Sequence, residues 1–267
     1  MADAIDMTGQ VVVVTGGGKG IGREEALADA AAGAEVVICG RKEPESLPEA
    51  GARRAAFVAA DIRDTEQAGR VIQAAVDRFG RLDVLVNNAG GSPPADAASA
   101  SPRFSAAIIA LNLTAPLDLA QRANRVMQAQ DTGGSIINIA SVSGLRASPG
   151  TAAYAAAKAG LVSLTQTLAV EWAPKVRVNA VTAGLIRTEQ SELHYGDEAG
   201  IAAVGATIPL GRMGEPRDVG DACLFLASPL ARYVSGASLL VHGGGERPAF
   251  LGAAKNVAPG GAAKEGR

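Results

Sequence analysis

The feature that most constrains this chain is a repeated alternation: short runs rich in β-branched residues, each followed by a longer alanine-rich stretch. The runs lie at 10–15, 35–39, 55–60, 82–87, 135–140, 176–182 and 237–241. They do not alternate strictly between polar and apolar, so they suit strands covered on both faces. Between them lie helical stretches such as 65–79 and 152–172. Strand, helix, strand repeated in this way implies right-handed crossovers. The expected class is α/β, a doubly wound, mainly parallel seven-stranded sheet with helices on both faces.

A chain of 267 residues can bury a substantial core. Hydrophobic residues at 48% and charged ones at 19% exclude wholesale disorder. No linker separates two parts, so one domain is expected across 1–267, with its core at about 9–245. In the tail, 247–267, Pro248, Pro259, Gly260 and Gly261 break any periodicity, and its last dozen or so residues are expected to be disordered. The net charge of −2, with both signs interleaved, does not resemble a nucleic-acid footprint. No apolar run approaches the ~18 residues of a membrane span, and Met1-Ala2-Asp3-Ala4 opens no targeting segment. Cys39 and Cys223 stand alone in apolar stretches, as core residues in a reducing compartment do, so a cytoplasmic protein is expected. No His, Cys or acidic cluster has metal spacing, and no metal is expected. The segment 188–207 is too long for an ordinary connection and is a candidate lid.

The first strand ends in Thr15-Gly16-Gly17-Gly18-Lys19-Gly20-Ile21-Gly22, with a helix expected from Arg23. Glycines let the backbone turn sharply against a pyrophosphate, and the helix N-terminus offers it free amides and a positive dipole end. The end of the second strand bears on which dinucleotide fits. An acidic residue there would bind a ribose 2′-hydroxyl and repel a 2′-phosphate. This chain has Val37-Ile38-Cys39-Gly40-Arg41-Lys42 instead, with Lys19 as a third cation. That charge favours NADP(H), while NAD(H) stays open.

Tyr154 and Lys158 stand four apart in an alanine-rich helical stretch, so they project from one face a turn apart. A free phenol, with a pKa near ~10, is a poor base at neutral pH. A neighbouring ammonium favours the phenolate and brings the tyrosine into range for proton transfer. Ser141 ends the fifth strand, where its hydroxyl can bond the substrate oxygen.

The glycine turn, Asn87-Asn88-Ala89-Gly90, Ser141, Tyr154 and Lys158, in this order and spacing, resemble the short-chain dehydrogenase/reductase (SDR) family over about 9–245. The resemblance implies a Rossmann-type sheet and an oxidoreductase moving a hydride between NADP(H) and a carbonyl or secondary alcohol. Tyr154 would be the general acid/base. Lys158 would lower its pKa and hold the nicotinamide ribose, Ser141 would orient the substrate oxygen, and Asn112 would support a water relay to the lysine. Thr15, Gly16, Gly18, Lys19, Gly20, Ile21, Gly22 and Arg41 would hold the dinucleotide, with Asp61 and Ile62 at the adenine. Asn88 and Gly90 would lie against the cofactor, and Ile186 and Thr188 would meet the carboxamide. Two positions depart from the family: Ala183 stands where proline is usual, and His242 where aspartate is common. His242 reads as a structural contact.

The partner is a small carbonyl or alcohol, with no nucleic acid or membrane implied. A 3-oxoacyl thioester or a cyclic, steroid-like ketone leads. An NAD-dependent sugar or polyol dehydrogenase and a non-catalytic cofactor-sensing module stay open. Candidate substrate contacts are Val142, Leu145, His194 and Tyr195. The resemblance also implies a homotetramer, and small side chains such as Ala155, Ala159 and Thr167 allow close helix approach.

Overall fold

A computed structural model describes residues 5–253. Seven strands form one parallel sheet: β1 (Val11–Thr15), β2 (Glu35–Gly40), β5 (Ala56–Ala59), β6 (Val84–Asn87), β7 (Gly134–Ser141), β8 (Val176–Ala183) and β9 (Ser238–Val241). Their order is β5-β2-β1-β6-β7-β8-β9, the doubly wound arrangement in which the winding reverses between β1 and β6. Ligands in such sheets bind outside the carboxyl ends of the strands at that reversal. All seven strands fall within a residue or two of the apolar runs in the sequence.

Both faces are covered, which explains why the strands do not alternate. In β1, Val11 and Val13 pack towards α2 (Thr65–Phe79), α4 (Ala115–Ala129) and α5 (Ala152–Glu171). Val12 and Val14 pack towards α1 (Gly20–Ala31) and α8 (Pro216–Ala227). Four consecutive valines are thus buried, two in each core. Helix α2 starts where Asp64 accepts hydrogen bonds from the amides of Glu66 and Gln67, and it stops at Gly80 in the left-handed region (φ 75°).

The remaining differences from the sequence reading are local. Helix α1 begins at Gly20, not Arg23, because its first turn is built from glycines that helical propensity disfavours. A short antiparallel pair, β3 (Glu49–Ala50) and β4 (Arg53–Arg54), follows β2. Helix α3 (Pro102–Ile109) runs through a π-turn at Ala110–Thr114 into α4. Together they form a 28-residue rod that by length and mean composition could cross a membrane, although its apolar runs are short and interrupted. Here the rod lays Leu119, Ala123 and Met127 against the sheet instead. The segment 188–207 is not a bare loop. It holds α6 (Ser191–Tyr195) and α7 (Glu198–Thr207), which rest on a small core of their own, formed by Ile201, Ile208 and Met213. In the tail, α9 (Ala249–Ala253) follows the sheet, and the segment expected to be disordered lies largely outside the described residues.

Candidate active site

The glycine turn and the Tyr154 helix meet at the carboxyl edge of the sheet. Thr15 closes β1, and its hydroxyl accepts the amides of Asn88 and Ala89, each at 3.0 Å. The Asn88 side chain returns a bond to the Thr15 carbonyl at 2.8 Å. The turn and the segment after β6 are therefore braced against each other across the winding reversal. Gly20 sits at φ 52°, in the left-handed region. A Cβ on Gly22 would lie 2.4 Å from the Asn88 amide nitrogen, so only glycine admits this brace.

The cradle fits an anionic dinucleotide. Lys19, the N-cap residue of α1, makes no side-chain capping bond, and the first turn carries no acidic residue. The Gly20 amide nonetheless donates to a carboxylate, Glu189 Oε1, at 3.2 Å. An anion from a distant loop is thus already seated where a helix N-terminus would hold phosphate. Arg41 and Lys42 follow β2 and are exposed, as is Lys19. Asp61 is engaged by Arg63 at 2.9 and 2.5 Å, and those hydrogen bonds hold its carboxyl below the usual range. Ile62 beside it is buried.

Across the crevice, Tyr154 and Lys158 share one face of α5 below Ser141. Burial pushes the Tyr154 phenol up, and a hydrogen bond with Ser141 opposes that. Lys158 is buried and its ammonium donates to the Ile139 carbonyl at 2.7 Å. Burial pulls its pKa down to about 8. Its nitrogen lies 5.6 Å from the centre of the Tyr154 ring. The lysine nitrogen thus meets the ring face and a carbonyl, and burial is the largest influence on the phenol. Gly90 lies between Lys158 and Asn112: a Cβ there would fall 2.6 Å from Asn112 Oδ1 and 3.3 Å from the lysine nitrogen. Asn112 stands in the π-turn, accepting from the Gly91 amide and donating to the Gly91 and Ile108 carbonyls, each at 2.9 Å. Such π-turns recur at functional sites because they re-aim one side chain inward.

The loop after β8 closes the third side. Ile186 bridges to Gly214, and the Thr188 methyl packs near Gly20. Ala183, in place of proline, pairs with Ser141 and Val241 and keeps β8 in register to its last residue. A cavity of about 280 Å³ has Val142, Leu145, Arg146, His242 and Glu246 among its walls, whereas Ser141, Tyr154 and Tyr195 do not line it. Arg146 and Glu246 form an ion pair there. Tyr195 is held up in pKa by burial, lies within electrostatic reach of Arg146 and Glu246, and itself acts on Tyr154. His194 is exposed, its ring centre 6.0 Å from that of Tyr195, and does not line the cavity. The sequence reading missed Arg146 and Glu246, which line the cavity together with His242. Among the described residues no group of three or more His, Cys, Asp or Glu gathers as for a metal ion.

The sequence model of the family described as Enoyl-(Acyl carrier protein) reductase matches residues 15–246, from the glycine turn to the last cavity residue. The chain belongs to the short-chain dehydrogenase/reductase family. This SDR is similar to L-rhamnose 1-dehydrogenase (NAD(P)(+)) of Azotobacter vinelandii, 39% identical over 88% of this chain and 96% of the relative. It is also 36% identical to a 3-oxoacyl-[acyl-carrier-protein] reductase of Synechocystis, over 89% of this chain and 97% of that one. The structure of the aldohexose dehydrogenase of Thermoplasma acidophilum superposes with a TM-score of 0.82 at 29% identity, covering 90% of this chain and 96% of that one. This SDR is therefore an NAD(P)-dependent oxidoreductase acting on alcohol and carbonyl groups.

Proposed function

We propose that this SDR is an NADP(H)-preferring ketone reductase or secondary-alcohol dehydrogenase in which Tyr154 moves the proton. The observation that carries the reading is the meeting of the Ser141–Tyr154–Lys158 cluster with a glycine cradle already holding a carboxylate on its helix amide. A bound dinucleotide supplies or accepts the hydride at its nicotinamide ring. Thr15, Gly16, Gly18, Lys19, Gly20, Ile21 and Gly22 would hold its phosphates. Asp61 and Ile62 would meet the adenine, Asn88 and Gly90 would back the ribose, and Ile186 and Thr188 would meet the carboxamide. Ser141 orients the substrate oxygen. Tyr154, its hydroxyl protonated, gives that oxygen a proton in reduction and takes it back in oxidation. Lys158, anchored on the Ile139 carbonyl, holds the ribose, with Asn112 behind it across Gly90.

The cofactor preference rests on charge. Strand β2 ends without a carboxylate, and Arg41 follows at once. Fluorescence titration is expected to give a lower Kd for NADPH than for NADH. Arg41→Ala should weaken NADPH by about tenfold, the value of a charged hydrogen bond, and leave NADH unchanged. Equal weakening of both dinucleotides would remove Arg41 from 2′-phosphate recognition.

For the substrate, a ketone leads, and one observation favours a second reading. The Arg146–Glu246 pair and His242 give one cavity wall donors and acceptors without net charge between the pair, which suits a polyhydroxylated substrate such as a sugar or polyol. The sugar dehydrogenases among the relatives point the same way. A panel of ketones, 3-oxoacyl thioesters and sugars, followed by dinucleotide absorbance, tests both readings. Absence of turnover with any, together with dinucleotide binding, would leave a cofactor-sensing module.

One dinucleotide-binding domain and a homotetramer complete the proposal. Ala159, Thr167 and Val170 are exposed along α5, the last at 80%, and would pack against a second copy. Light scattering is expected to give a mass of about four chains. The two buried free thiols, Cys39 and Cys223, support a cytoplasmic location.

A further inference from the structure

We propose that Arg146 and Glu246 are the substrate-selecting pair of this SDR, taking between them two neighbouring neutral hydroxyls that lie beyond the reacting carbon. The inference deepens the sugar or polyol reading above and rests on it.

Two distant parts of the chain build the pair. Arg146 stands just past a short 3₁₀ turn, Val142–Gly144, that follows Ser141 directly. Its amide donates to the Val142 carbonyl at 3.1 Å, which ties it to that turn. The turn is clamped to α5 beside Lys158: a Cβ on Gly144 would lie 2.6 Å from the Ala159 amide nitrogen. Glu246 comes from beyond β9. There Gly243, Gly244 and Gly245 all lie in the left-handed region, at φ 63°, 93° and 83°. A Cβ on Gly243 would fall 2.8 Å from Ile208 Cγ2, and one on Gly244 would fall 3.0 Å from the Pro209 ring. Glycines alone admit this coil, which brings Glu246 to the cavity and onto Arg146.

The cavity begins one residue from the proton-transfer cluster. Val142 follows Ser141, and Gly184 follows Ala183, the register partner of Ser141. A substrate whose oxygen meets Ser141 can therefore extend its remaining carbons towards these walls. Leu185, Ile208 and Leu240 make much of the lining apolar, so the ion pair decides which polar groups the cavity accepts.

The pair is incompletely satisfied. Arg146 Nη2 donates to Glu246 Oε1, and Nη1 donates to the Ala147 carbonyl at 3.0 Å. Arg146 Nε and Glu246 Oε2 have no partner among the described residues. A donor and an acceptor are thus on offer from adjoining groups. Hydroxyls both donate and accept, so a neutral diol answers both without breaking the pair. A carboxylate answers the guanidinium alone and faces the Glu246 charge. An alkyl ring answers neither and removes water from both. The side chains are 41% and 33% exposed, which limits the expected selectivity to about tenfold rather than thousands.

The test is oxidation by NADP⁺ of matched hexitols and aldonates (sorbitol and gluconate, mannitol and mannonate, galactitol and galactonate), with cyclohexanol as an alcohol lacking a diol. In the wild type, kcat/KM for the best hexitol is expected to exceed that for its aldonate and for cyclohexanol by about tenfold. Glu246→Gln and Arg146→Gln both break the ion pair, yet they should move the acid in opposite directions. Glu246→Gln removes the repelling charge and leaves the guanidinium, so the aldonate gains about tenfold relative to the hexitol. Arg146→Gln leaves the carboxylate alone, so the aldonate loses ground further. The NADPH Kd should stay at the wild-type value in both, which shows that the fold is intact. Shifts in the same direction, or equal kcat/KM for hexitol and aldonate in the wild type, overturn the selecting pair and leave the polyol reading standing. Turnover of cyclohexanol or ketones without any hexitol overturns the polyol reading and the pair with it. Binding of neither NADPH nor NADH overturns the dinucleotide reading on which both depend.

Discussion

Tyr154→Phe lowers kcat by about 10²- to 10⁴-fold while the NADPH Kd stays at the wild-type value, because the substitution removes one oxygen and leaves the ring that Lys158 packs against. The split between kcat and Kd is the informative part. A tyrosine needed only for packing would lose stability and cofactor affinity together, whereas a proton donor loses the chemical step alone. The environment of this phenol also sets a direction in pH. Burial holds Tyr154 protonated beyond the ordinary phenol range, with Ser141 pulling the other way. The protonated form donates in reduction, and the deprotonated form accepts in oxidation. Alcohol oxidation is therefore expected to rise with pH across the alkaline range, while reduction does not. Lys158 loses its charge as pH rises through about 8, so a Lys158→Met variant should flatten that part of the profile. A pH-independent oxidation rate in the wild type would remove Tyr154 from proton transfer.

What could be read without coordinates follows a physical division. The seven strands were legible because burial on both faces writes itself as consecutive apolar residues, as in Val11-Val12-Val13-Val14. The catalytic spacing was legible because Tyr154 and Lys158 lie a single helical turn apart, a local relation. Contacts that join distant parts of the chain were not. Arg146 meets Glu246 across 100 positions, and Gly20 meets Glu189 across 169. Each of these residues, read in its own neighbourhood, looks like an ordinary surface charge. The π-turn at Asn112 escaped for another reason: Ala110-Leu111-Asn112-Leu113-Thr114 differs from a plain helix only in its hydrogen-bond ladder. The lysine's effect on the phenol illustrates the limit of spacing itself. Four residues apart brings two side chains to one face, but whether the ammonium meets the hydroxyl or the ring depends on Ile139, in strand β7.

Raising the pH from 5 to 9 is expected to destabilise this protein, and the cause lies on α1, behind the glycine turn. Glu25 and Asp29 stand four apart on the face of α1 that packs against α8, and both are fully buried. None of their four carboxylate oxygens meets an amide, hydroxyl or cationic donor, and the two carboxyls and the Cys223 thiol lie within hydrogen-bonding reach of one another. The packing is tight: a Cβ on Gly220 would lie 3.2 Å from the Glu25 amide nitrogen. The groups acting on Glu25 are Asp29 beside it and Cys223 and Asp221 on α8, none of them cationic. Burial therefore pushes Glu25 well up, with the charge of Asp29 adding to it, and burial pushes Asp29 up to about 7. In the unfolded chain both titrate near ~4. Between that value and about 7 for Asp29, and across the raised range of Glu25, the folded protein holds more protons than the unfolded one, so unfolding becomes easier as pH rises. The stabilisation is complete below the unfolded value and is lost on the way up. Glu25→Gln with Asp29→Asn replaces both acids by neutral amides of similar shape and removes the linkage. At pH 8 this double variant is expected to melt at least about 5 °C above the wild type, while near pH 5 the two should nearly coincide. Because α1 carries the cofactor cradle at its other end, dinucleotide binding should slow alkaline unfolding of the wild type. Parallel pH profiles for wild type and variant would show that the pair carries its burial without holding a proton.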